Sequence, residues 1–365
     1  MYYLYYAGIP VEDQSMEQIG LAVSEDGVHF DRVNGTGLVL PLDRQSRWAN
    51  LRVCNPTVIW FRGEWLMYYH VAHQEGLRGL VSHSIGLARS QDGVEWRNEP
   101  GPVLSVDNMR DIHPGLTRDS KSGGVIEPAI LVEEDSLQMW FVGYGNSYRS
   151  RTTVNERQIA RHRTAIRTDS KLYHAVSVDG CEWHITRNWV LSGNQFGDCS
   201  VHYPQVLKVD GGYELWFTLQ NNKNEAYAIC MMESADGLVM DRLEQVLPKV
   251  LEGFTVKERE GFVFKVNGRV PRGVARLNWE VCRIGWGGRN YFGYAHPHVI
   301  EEGGERILYY HNYNYGSKKR RTWIDISRCE LARARSTHKV VLGPTANPKA
   351  WDSWVVADPF VVKRV

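Results

Sequence analysis

The sequence has no surplus of charge of either sign. Its 365 residues include 43 Lys and Arg against 42 Asp and Glu, which gives a formal net charge of +1 at pH 7. This balance does not draw the whole chain toward nucleic acid or an anionic membrane. No apolar run approaches the ~20 residues that a membrane-spanning helix needs. We therefore expect neither a nucleic-acid nor a membrane partner, while the oligomeric state stays open.

Paired cysteines and a secretion signal are also missing. The six cysteines form no C-x-x-C pair and no zinc-ligand spacing. The chain opens without the basic segment and small-residue cleavage site of a secretory signal. These absences predict reduced thiols and a cytoplasmic location, although a protein whose leader had been removed would look the same.

What the sequence does contain is a repeat. Four segments align without gaps from the residue before a proline: 55–71, 127–143, 203–219 and 296–312. Each carries an aromatic pair 12 and 13 residues after its proline, preceded by Met or Leu. The pairs are Tyr68-Tyr69, Trp140-Phe141, Trp216-Phe217 and Tyr309-Tyr310. Two runs of β-formers around a polar turn predict an antiparallel hairpin in each copy.

A second motif follows each of three of these hairpins and also lies near the start of the chain. It reads Ser-x-Asp-Gly, after an alternating stretch such as "IGLAV", at Asp26, Asp92, Asp179 and Asp236. Asp-Gly is a strong signal for a two-residue hairpin turn, because Gly tolerates φ > 0. We therefore interpret these aspartates as turn formers. Repeats of about four strands are typical of β-propeller blades.

The two chain ends complete the pattern. "DPFVVKRV" (358–365) aligns with the first strand of a repeat and "MYYLYY" (1–6) with the second, with one residue missing between them. We predict an all-β protein, a five-bladed β-propeller in which pairing of the N- and C-terminal strands closes one blade. Residues 1–365 would form one domain, with the closing blade shared by 1–45 and 352–365.

Two segments interrupt the repeat. The connection after the aromatic pair of the third blade is long and places an insert at 145–171. Residues 241–290 form the longest stretch between recognisable repeats and predict an extended fourth blade or a cap.

The quoted motifs resemble a known superfamily. "WDSWVVADPF" (351–360), "YYLYYAG" (2–8) and "IGLAVSEDGVHF" (19–30) are similar to the five-bladed propellers of glycoside hydrolase families 43, 32, 62, 117 and 130. The resemblance spans essentially the whole chain. Because such motifs are mainly architectural, it is more specific for fold than for chemistry.

The propeller expectation places a site at the start of the inner strands. The residue before each proline should line one end of the central channel; these are Asp358, Asn55, Glu127, Tyr203 and His296. In the hydrolases that the chain resembles, an Asp of the first blade is the general base and a Glu of the third is the general acid. The resemblance therefore implies Asp358 as base and Glu127 as acid. The alternative is that both carboxylates only accept backbone N–H bonds.

Asn55 departs from the family pattern. The second blade of these hydrolases carries an Asp that tunes the pKa of its neighbours, and Asn cannot supply that charge. Asp111 or Asp198, each in the connection before an inner strand, could substitute. His202 is an alternative general acid.

Histidines and other polar residues fall near the same end. His113, His202, His296 and His298 cluster there, and "HPH" places the last two on one strand face. The resemblance allows an axial metal ion near His296 and His298, with substrate hydrogen bonding or plain packing as the alternatives. The remaining candidate substrate-binding residues are Arg52, Asn55, Tyr203 and Trp354.

Basic residues are concentrated in two connections expected over the same end. The insert contains Arg149, Arg151, Arg161 and Arg163, and "GSKKRRTW" contains Lys318–Arg321. Guanidinium groups suit carboxylates and phosphates. These residues predict an anionic sugar, or else form a solvated loop or an oligomer contact.

Three functional hypotheses follow. The first is a glycosidase acting by paired carboxylates on a small or oligomeric sugar substrate. The second is an enzyme of the same fold with non-hydrolytic chemistry on a phosphorylated or nucleotide-linked sugar. The third is a glycan-binding propeller without catalysis. Asn55 favours the second and third, whereas Asp358 and Glu127 favour the first two.

Overall fold

The chain is almost entirely β-strand. The computed structural model describes residues 1–13, 16–74, 81–109, 112, 124–144, 170–186, 189–193, 199–221, 226–238, 263–265, 292–315, 322–331 and 339–364. Within these ranges the helices are a 3-10 turn at Val33–Gly35 and one short α-helix at Val106–Met109. None of the helices described could cross a membrane.

Twenty-two strands make up the described part of the chain. In chain order they are β1 (Tyr2–Ile9), β2 (Gln18–Ser24), β3 (Asp31–Arg32), β4 (Leu38–Leu40), β5 (Arg52–Phe61), β6 (Glu64–Gln74), β7 (Val81–Ser90), β8 (Arg97–Asn98), β9 (Gly124–Glu133), β10 (Ser136–Tyr144), β11 (Lys171–Ser177), β12 (His184–Ile185), β13 (Leu191–Ser192), β14 (Cys199–Val209), β15 (Gly212–Asn221), β16 (Ala226–Ser234), β17 (Val263–Lys265), β18 (Phe292–Glu302), β19 (Glu305–Tyr315), β20 (Thr322–Glu330), β21 (Lys339–Leu342) and β22 (Val355–Lys363).

The strands pair with their neighbours in sequence to form antiparallel units. Unit 1 consists of β22 and β1–β4, unit 2 of β5–β8, unit 3 of β9–β13, unit 4 of β14–β17 and unit 5 of β18–β21. Unit 4 is the exception to the antiparallel order, because β17 runs parallel to β16. The remainder of 241–290, and all of 145–171 except Ser170 and Lys171, lie outside the described residues.

Unit 1 joins the two ends of the chain. Strands β1 and β22 are antiparallel, with Tyr2 opposite Lys363 and Ile9 opposite Val355. This confirms the pairing that the repeat alignment predicts. The first strand of unit 1 therefore comes from the end of the chain and its second strand from the beginning.

The two repeated sequence motifs meet between units. The first aromatic residue of a pair donates a hydrogen bond to the glycine carbonyl of an Asp-Gly turn in the following unit. The four bonds are Tyr5 Oη to Gly93 O (2.7 Å), Tyr68 Oη to Gly180 O (2.8 Å), Trp140 Nε1 to Gly237 O (2.9 Å) and Tyr309 Oη to Gly27 O (2.8 Å). The fixed spacing of both motifs is therefore explained by contacts between neighbouring units.

The Asp-Gly turns are wider than the sequence predicts. In unit 1, residues 25–30 separate β2 from β3. The carboxylate of Asp26 accepts N–H bonds from Val28 and His29, and the Ser24 hydroxyl accepts one from Gly27, whose φ is 70°. The role of these aspartates as turn formers is confirmed. The two-residue hairpin is wrong, because these side-chain bonds to backbone stabilise a longer loop.

The hydrophobic core is divided between the units. Within the described residues, the larger apolar clusters are each filled by buried side chains from two neighbouring units. Examples are Leu21 with Tyr69, Leu66 with Phe141, Trp140 with Phe217, Trp216 with Tyr310, and Leu4 with Tyr309. Each unit is therefore held mainly through the faces it presents to its neighbours.

Candidate functional site

The first strand of every unit has a β-bulge at its proline. The register with the second strand shifts where the residue before the proline and the proline itself lie, for example between Cys54 and Thr57 and between His202 and Gln205. The same shift occurs at Asp358, Glu127 and His296. Proline has no N–H to donate to a strand ladder, so a bulge is the natural place for it.

The residue before each proline adopts a backbone conformation that is rare for its type. The φ values are 50° at Asn55, 57° at Glu127, 51° at Tyr203, 56° at His296 and 55° at Asp358. We call these five the bulge residues. A positive φ at a non-glycine residue costs about 1–3 kcal/mol, and such strain is characteristic of functional sites. The bulge also turns the side chain away from its regular position in the sheet.

The bulge residues of different units contact one another. The Asn55 N–H donates to Asp358 Oδ2 (3.3 Å), and the Tyr203 N–H donates to Glu127 Oε2 (2.8 Å). The ring of Tyr203 stacks on His296 with centroids 4.7 Å apart, and His296 Nδ1 lies 3.0 Å from Asp358 Oδ1. The structure therefore brings together the five residues that the sequence predicts at the channel end.

Asp358 is a buried carboxylate held by two imidazoles. Besides His296, His311 Nδ1 lies 3.5 Å from Asp358 Oδ1 and 3.4 Å from the Asp358 backbone nitrogen, so it donates to the carboxylate when it carries a proton and accepts the N–H when it does not. Burial alone would raise the pKa of Asp358, but the hydrogen bonds and charges of His296 and His311 hold it well below its usual range. Asp358 is thus an ionised carboxylate at neutral pH, as a general base must be.

Glu127 has a similar arrangement on another strand. His202 Nδ1 lies 3.2 Å from each of its carboxylate oxygens, and both side chains are buried. In the described part of the chain, His202 Nε2 is buried without a hydrogen-bond partner. Burial, reinforced by the Glu127 charge, raises the pKa of Tyr144 well above its usual range. Each of the two predicted catalytic carboxylates is therefore paired with the Nδ1 atom of a buried histidine.

Asn55 is bonded to a fourth histidine. Its Oδ1 lies 3.0 Å from His70 Nδ1 and 3.4 Å from Cys54 Sγ. His70 Nε2 in turn lies 2.7 Å from His83 Nδ1. Burial lowers the pKa of His70 well below its usual range and that of His83 to about 3, so both rings are neutral.

Sequence reasoning missed three residues that support the site. His70, Thr218 and His311 each follow directly after the aromatic pair of their unit. Thr218 Oγ1 accepts the His296 N–H at 3.0 Å, and the other two bond Asn55 and Asp358. The signal was available in the repeat, because polar residues at a position that should continue a buried strand need a partner.

His298 has partners different from those of His296. Its Nε2 lies 2.9 Å from Val361 O and its ring packs 4.3 Å from that of Phe360. Burial lowers the pKa of His298 to about 3. The bulge at His296 and Pro297 interrupts the simple alternation, so the two histidines do not act as one pair.

Two sets of possible metal ligands share Asp358 within the described residues, and neither contains His298. One set is Glu17, Cys54 and Asp358, and the other is His296, His311 and Asp358. In the described ranges, ligand atoms of His296, His311 and Asp358 lie within 4.8 Å of one another. Two imidazoles and one carboxylate suit a cation such as Zn²⁺ better than Ca²⁺, which prefers oxygen ligands. The same atoms are already engaged with one another, since His296 Nδ1 bonds Asp358. The residues therefore fit a hydrogen-bonded cluster without requiring a metal.

Arg52 and Trp354 lie near the bulges but have structural partners. Arg52 Nη1 is 3.4 Å from Glu17 Oε2. Trp354 packs on a small apolar cluster with Ile9 and Val355, and its N–H donates to Ile9 O. Both can border a ligand.

Several predicted site residues fall outside the described part of the chain. They are Asp111, Asp198, His113, Arg149, Arg151, Arg161, Arg163 and Lys318–Arg321. Their roles stay predictions.

The fold is shared with known glycoside hydrolase propeller structures. One is a glycosyl hydrolase from Bacteroides ovatus (TM-score 0.52, 13% identity, covering 88% of this chain and 82% of that one). Another comes from the GH130 family of mannoside phosphorylases, which contains glycoside hydrolases that target β-1,2 mannosidic linkages in Candida mannan (TM-score 0.53, 12% identity, 90% and 86% covered). A third similar structure is a complex of BT0996 with RGII (TM-score 0.55, 13% identity, 94% and 88% covered).

Neither a protein-family model nor a curated protein matches the sequence. At 12–13% identity the structural likeness establishes the fold alone.

Proposed function

We propose that this protein is a carbohydrate-active enzyme that cleaves a glycosidic bond with Glu127 and Asp358 at one end of a five-bladed β-propeller. One observation carries the proposal. Two buried carboxylates occupy equivalent strained positions on different inner strands, and each is paired with a histidine Nδ1. Enzymes that cleave glycosidic bonds commonly use such a pair of carboxyl groups.

Contacts between the units support a closed ring of five blades. Strand β22 contacts β5 and β18, β9 contacts β5 and β14, and β14 contacts β18. The bond from Tyr309 in unit 5 to Gly27 in unit 1 spans the same junction as the cluster of Leu4 and Tyr309. Closure would leave no open sheet edge and would gather the bulge residues at one end of a central channel.

One carboxyl group would act as the general base and the other as the general acid. Asp358, whose pKa is depressed, takes a proton from the water that attacks the anomeric carbon. Glu127, in its protonated form, donates its proton to the leaving oxygen as the glycosidic bond breaks. Tyr203, stacked on His296 between them, offers an aromatic face for the C–H groups of a sugar.

Asn55 favours a second candidate, phosphorolysis or another non-hydrolytic reaction of an anionic sugar. A neutral amide stands where the hydrolases that the chain resembles carry a carboxylate. A phosphate that attacks the anomeric carbon needs no base, and an uncharged neighbour would repel it less. The arginines of the 145–171 insert would then bind the anion. A glycan-binding protein without catalysis is the remaining alternative.

Substitution of Glu127 tests the proposal. We expect Glu127→Gln to lower turnover of para-nitrophenyl glycosides and β-1,2-mannobiose by about 10²–10⁴-fold, because Gln cannot donate the proton. The matched control is Glu133→Gln on the same strand, whose carboxylate bonds Lys208 and Tyr213 away from the bulge. It should retain wild-type turnover.

Assays with and without inorganic phosphate separate the two reactions. A sugar phosphate as product assigns phosphorolysis, and free reducing sugar in both assays assigns hydrolysis. Undiminished turnover by Glu127→Gln would contradict the role of this carboxyl group in either reaction. Binding of these sugars without any turnover would support the non-catalytic alternative.

A further inference from the structure

The Oδ1 atom of the Asn55 carboxamide faces two groups that can donate a hydrogen bond. Cys54 Sγ and His70 Nδ1 lie 3.4 Å and 3.0 Å from Asn55 Oδ1. Burial, together with the charges of Glu17 and Asp358, raises the pKa of Cys54 well above its usual range. The sulfur therefore keeps its one proton, which Asn55 Oδ1, His70 Nδ1 at 3.5 Å or the Glu17 carboxylate can accept, so the thiol alone does not fix the orientation of the carboxamide.

The tautomers of His70 and His83 are linked by a hydrogen bond between the two rings. A neutral imidazole has one N–H donor and one acceptor nitrogen. The contacts are all satisfied when His70 Nδ1 donates to Asn55 Oδ1 and His70 Nε2 accepts from His83 Nδ1, which lies 2.7 Å away. In this arrangement the protons of both rings lie on Nδ1. The series of donors runs in one direction, from His83 through His70 to Asn55.

Among the described residues, the Nδ2 atom of the Asn55 carboxamide has no hydrogen-bond partner. The Asn55 backbone N–H bonds Asp358, and the side chain is 6% exposed. The hydrogen bonds found for Asn55 within the described residues use its backbone N–H and its Oδ1, and none uses Nδ2. The amide NH₂ therefore belongs to a residue whose backbone N–H already bonds the carboxylate that we assign as the base.

We propose that Asn55 donates a hydrogen bond from its side-chain NH₂ to an oxygen of the bound substrate, and that His70 and His83 are positioning residues that hold it in this orientation. The proposal rests on the proposed function for the identity of the site. The ligand group is an oxygen lone pair, supplied by a sugar or by a phosphate. An aspartate at this position could only accept, and its charge would oppose that of Asp358.

The tautomers can be measured without any substrate. We expect long-range ¹H–¹⁵N spectra of the full chain, labelled with [¹⁵N]histidine, to show His70 and His83 neutral and protonated on Nδ1 at pH 7. Loss of each signal in His70→Asn and His83→Asn assigns the resonances. A proton on Nε2 of His70 would overturn the positioning role of both histidines, whatever the enzyme does.

Two substitutions of His70 separate positioning from packing. The amide nitrogen of Asn can occupy the place of His Nδ1, whereas that of Gln reaches only the place of Nε2. With the para-nitrophenyl glycoside that the wild type turns over fastest, we expect His70→Asn to stay within about 3-fold in kcat/KM. His70→Gln should lose at least about 10-fold, although both variants unfold at similar temperatures. Equal kcat/KM for the two would overturn the role of His70.

Direct contact with the ligand is tested at Asn55 itself. Its Nδ2 proton signals in [¹⁵N]asparagine-labelled protein should shift on titration with D-mannose, with inorganic phosphate, or with the glycoside, and the effective titrant identifies the source of the oxygen. Asn55→Asp should lose at least about 100-fold in kcat/KM. Unshifted signals with all three titrants would overturn the contact. Undiminished activity of Glu127→Gln would instead refute the proposed function and leave the tautomer result standing.

Discussion

Each unit has a bulge at one end and a turn at the other. The aspartates at these two ends share a lowered pKa but differ in burial and in hydrogen-bond partners. In unit 1 the register places Asp358 at the Ala7 end of β1, and the turn containing Asp26 at the Tyr2 end. Backbone N–H bonds lower the pKa of the exposed Asp26, and those of Asp92 and Asp179 fall in the same way. For Asp358 burial acts in the opposite direction and two histidines reverse it. A low pKa alone therefore does not mark a catalytic carboxylate; its surroundings do.

The two ends also differ in where backbone strain is accepted. At the turn end the positive φ values, 70–79°, belong to glycines at positions 27, 93, 180 and 237. At the bulge end comparable values, 50–57°, belong to Asp, Asn, Glu, Tyr and His. Glycine adopts this conformation without steric cost, whereas the other residues do not. Non-glycine residues with positive φ also occur in turns, at Asn34, Arg62 and Glu134, so what distinguishes the bulge end is that this conformation recurs before the proline of every unit.

The largest expected effect is on activity. Asp358→Asn removes the charge that His296 and His311 hold and should lower turnover of the para-nitrophenyl glycosides by about 10²–10⁴-fold. The matched change at the turn end, Asp92→Asn, should leave turnover within about 2-fold of the wild type. Comparable losses in both variants would remove the distinction between the two ends.

A second effect concerns acid stability at the bulge end. The pKa of His298 in the folded protein is about 3, because the imidazole is buried. The unfolded chain, with a pKa near 6.5, takes up the proton first, so stability falls as pH drops from about 7 toward 3. Titration of His298 can lower the free energy of unfolding by up to about 1.4 kcal/mol per pH unit in this range.

Replacement of this imidazole should flatten the pH dependence. His298→Gln keeps a nitrogen near the Val361 carbonyl but cannot titrate. Urea unfolding between pH 7 and pH 4 should therefore show a smaller loss of free energy for the variant than for the wild type. Parallel curves would mean that His298 is not held neutral by burial.

The smallest expected effect is on stability, through the hydrogen bonds that join neighbouring units at the turn end. Tyr5→Phe removes the bond to Gly93 O, which keeps a bond of 3.2 Å from Trp96 Nε1, and should cost about 0.5–1.5 kcal/mol. Tyr3→Phe is the control, because the Tyr3 hydroxyl is exposed and contacts only Arg364 in the described residues. It should cost less than about 0.5 kcal/mol. Turnover should be unchanged in both variants. Equal stabilities of the two would mean that the bond from Tyr5 to Gly93 O does not stabilise the fold.

Much of the fold could be predicted because its signals are local. Alternation of apolar residues, the offset from proline to aromatic pair, and Asp-Gly each depend on a few consecutive residues. The same offset predicted the bulge residues, since the proline marks where each ladder is interrupted. The Asp-Gly turn length could not be predicted in this way, because the Ser24 and Asp26 side chains bond the backbone in place of a tight hairpin.

The sequence by itself determined which residues stand at the bulges and which strands pair, including the two terminal strands. Only the tertiary structure decided their partners: His296 lies 62 residues from Asp358, and His202 lies 75 from Glu127. No local pattern encodes such a contact, because it depends on how the units pack side by side. His298 shows the difference well. Its spacing from His296 suggested a shared role, but the bulge between them and the neighbouring β22 gave it a structural partner.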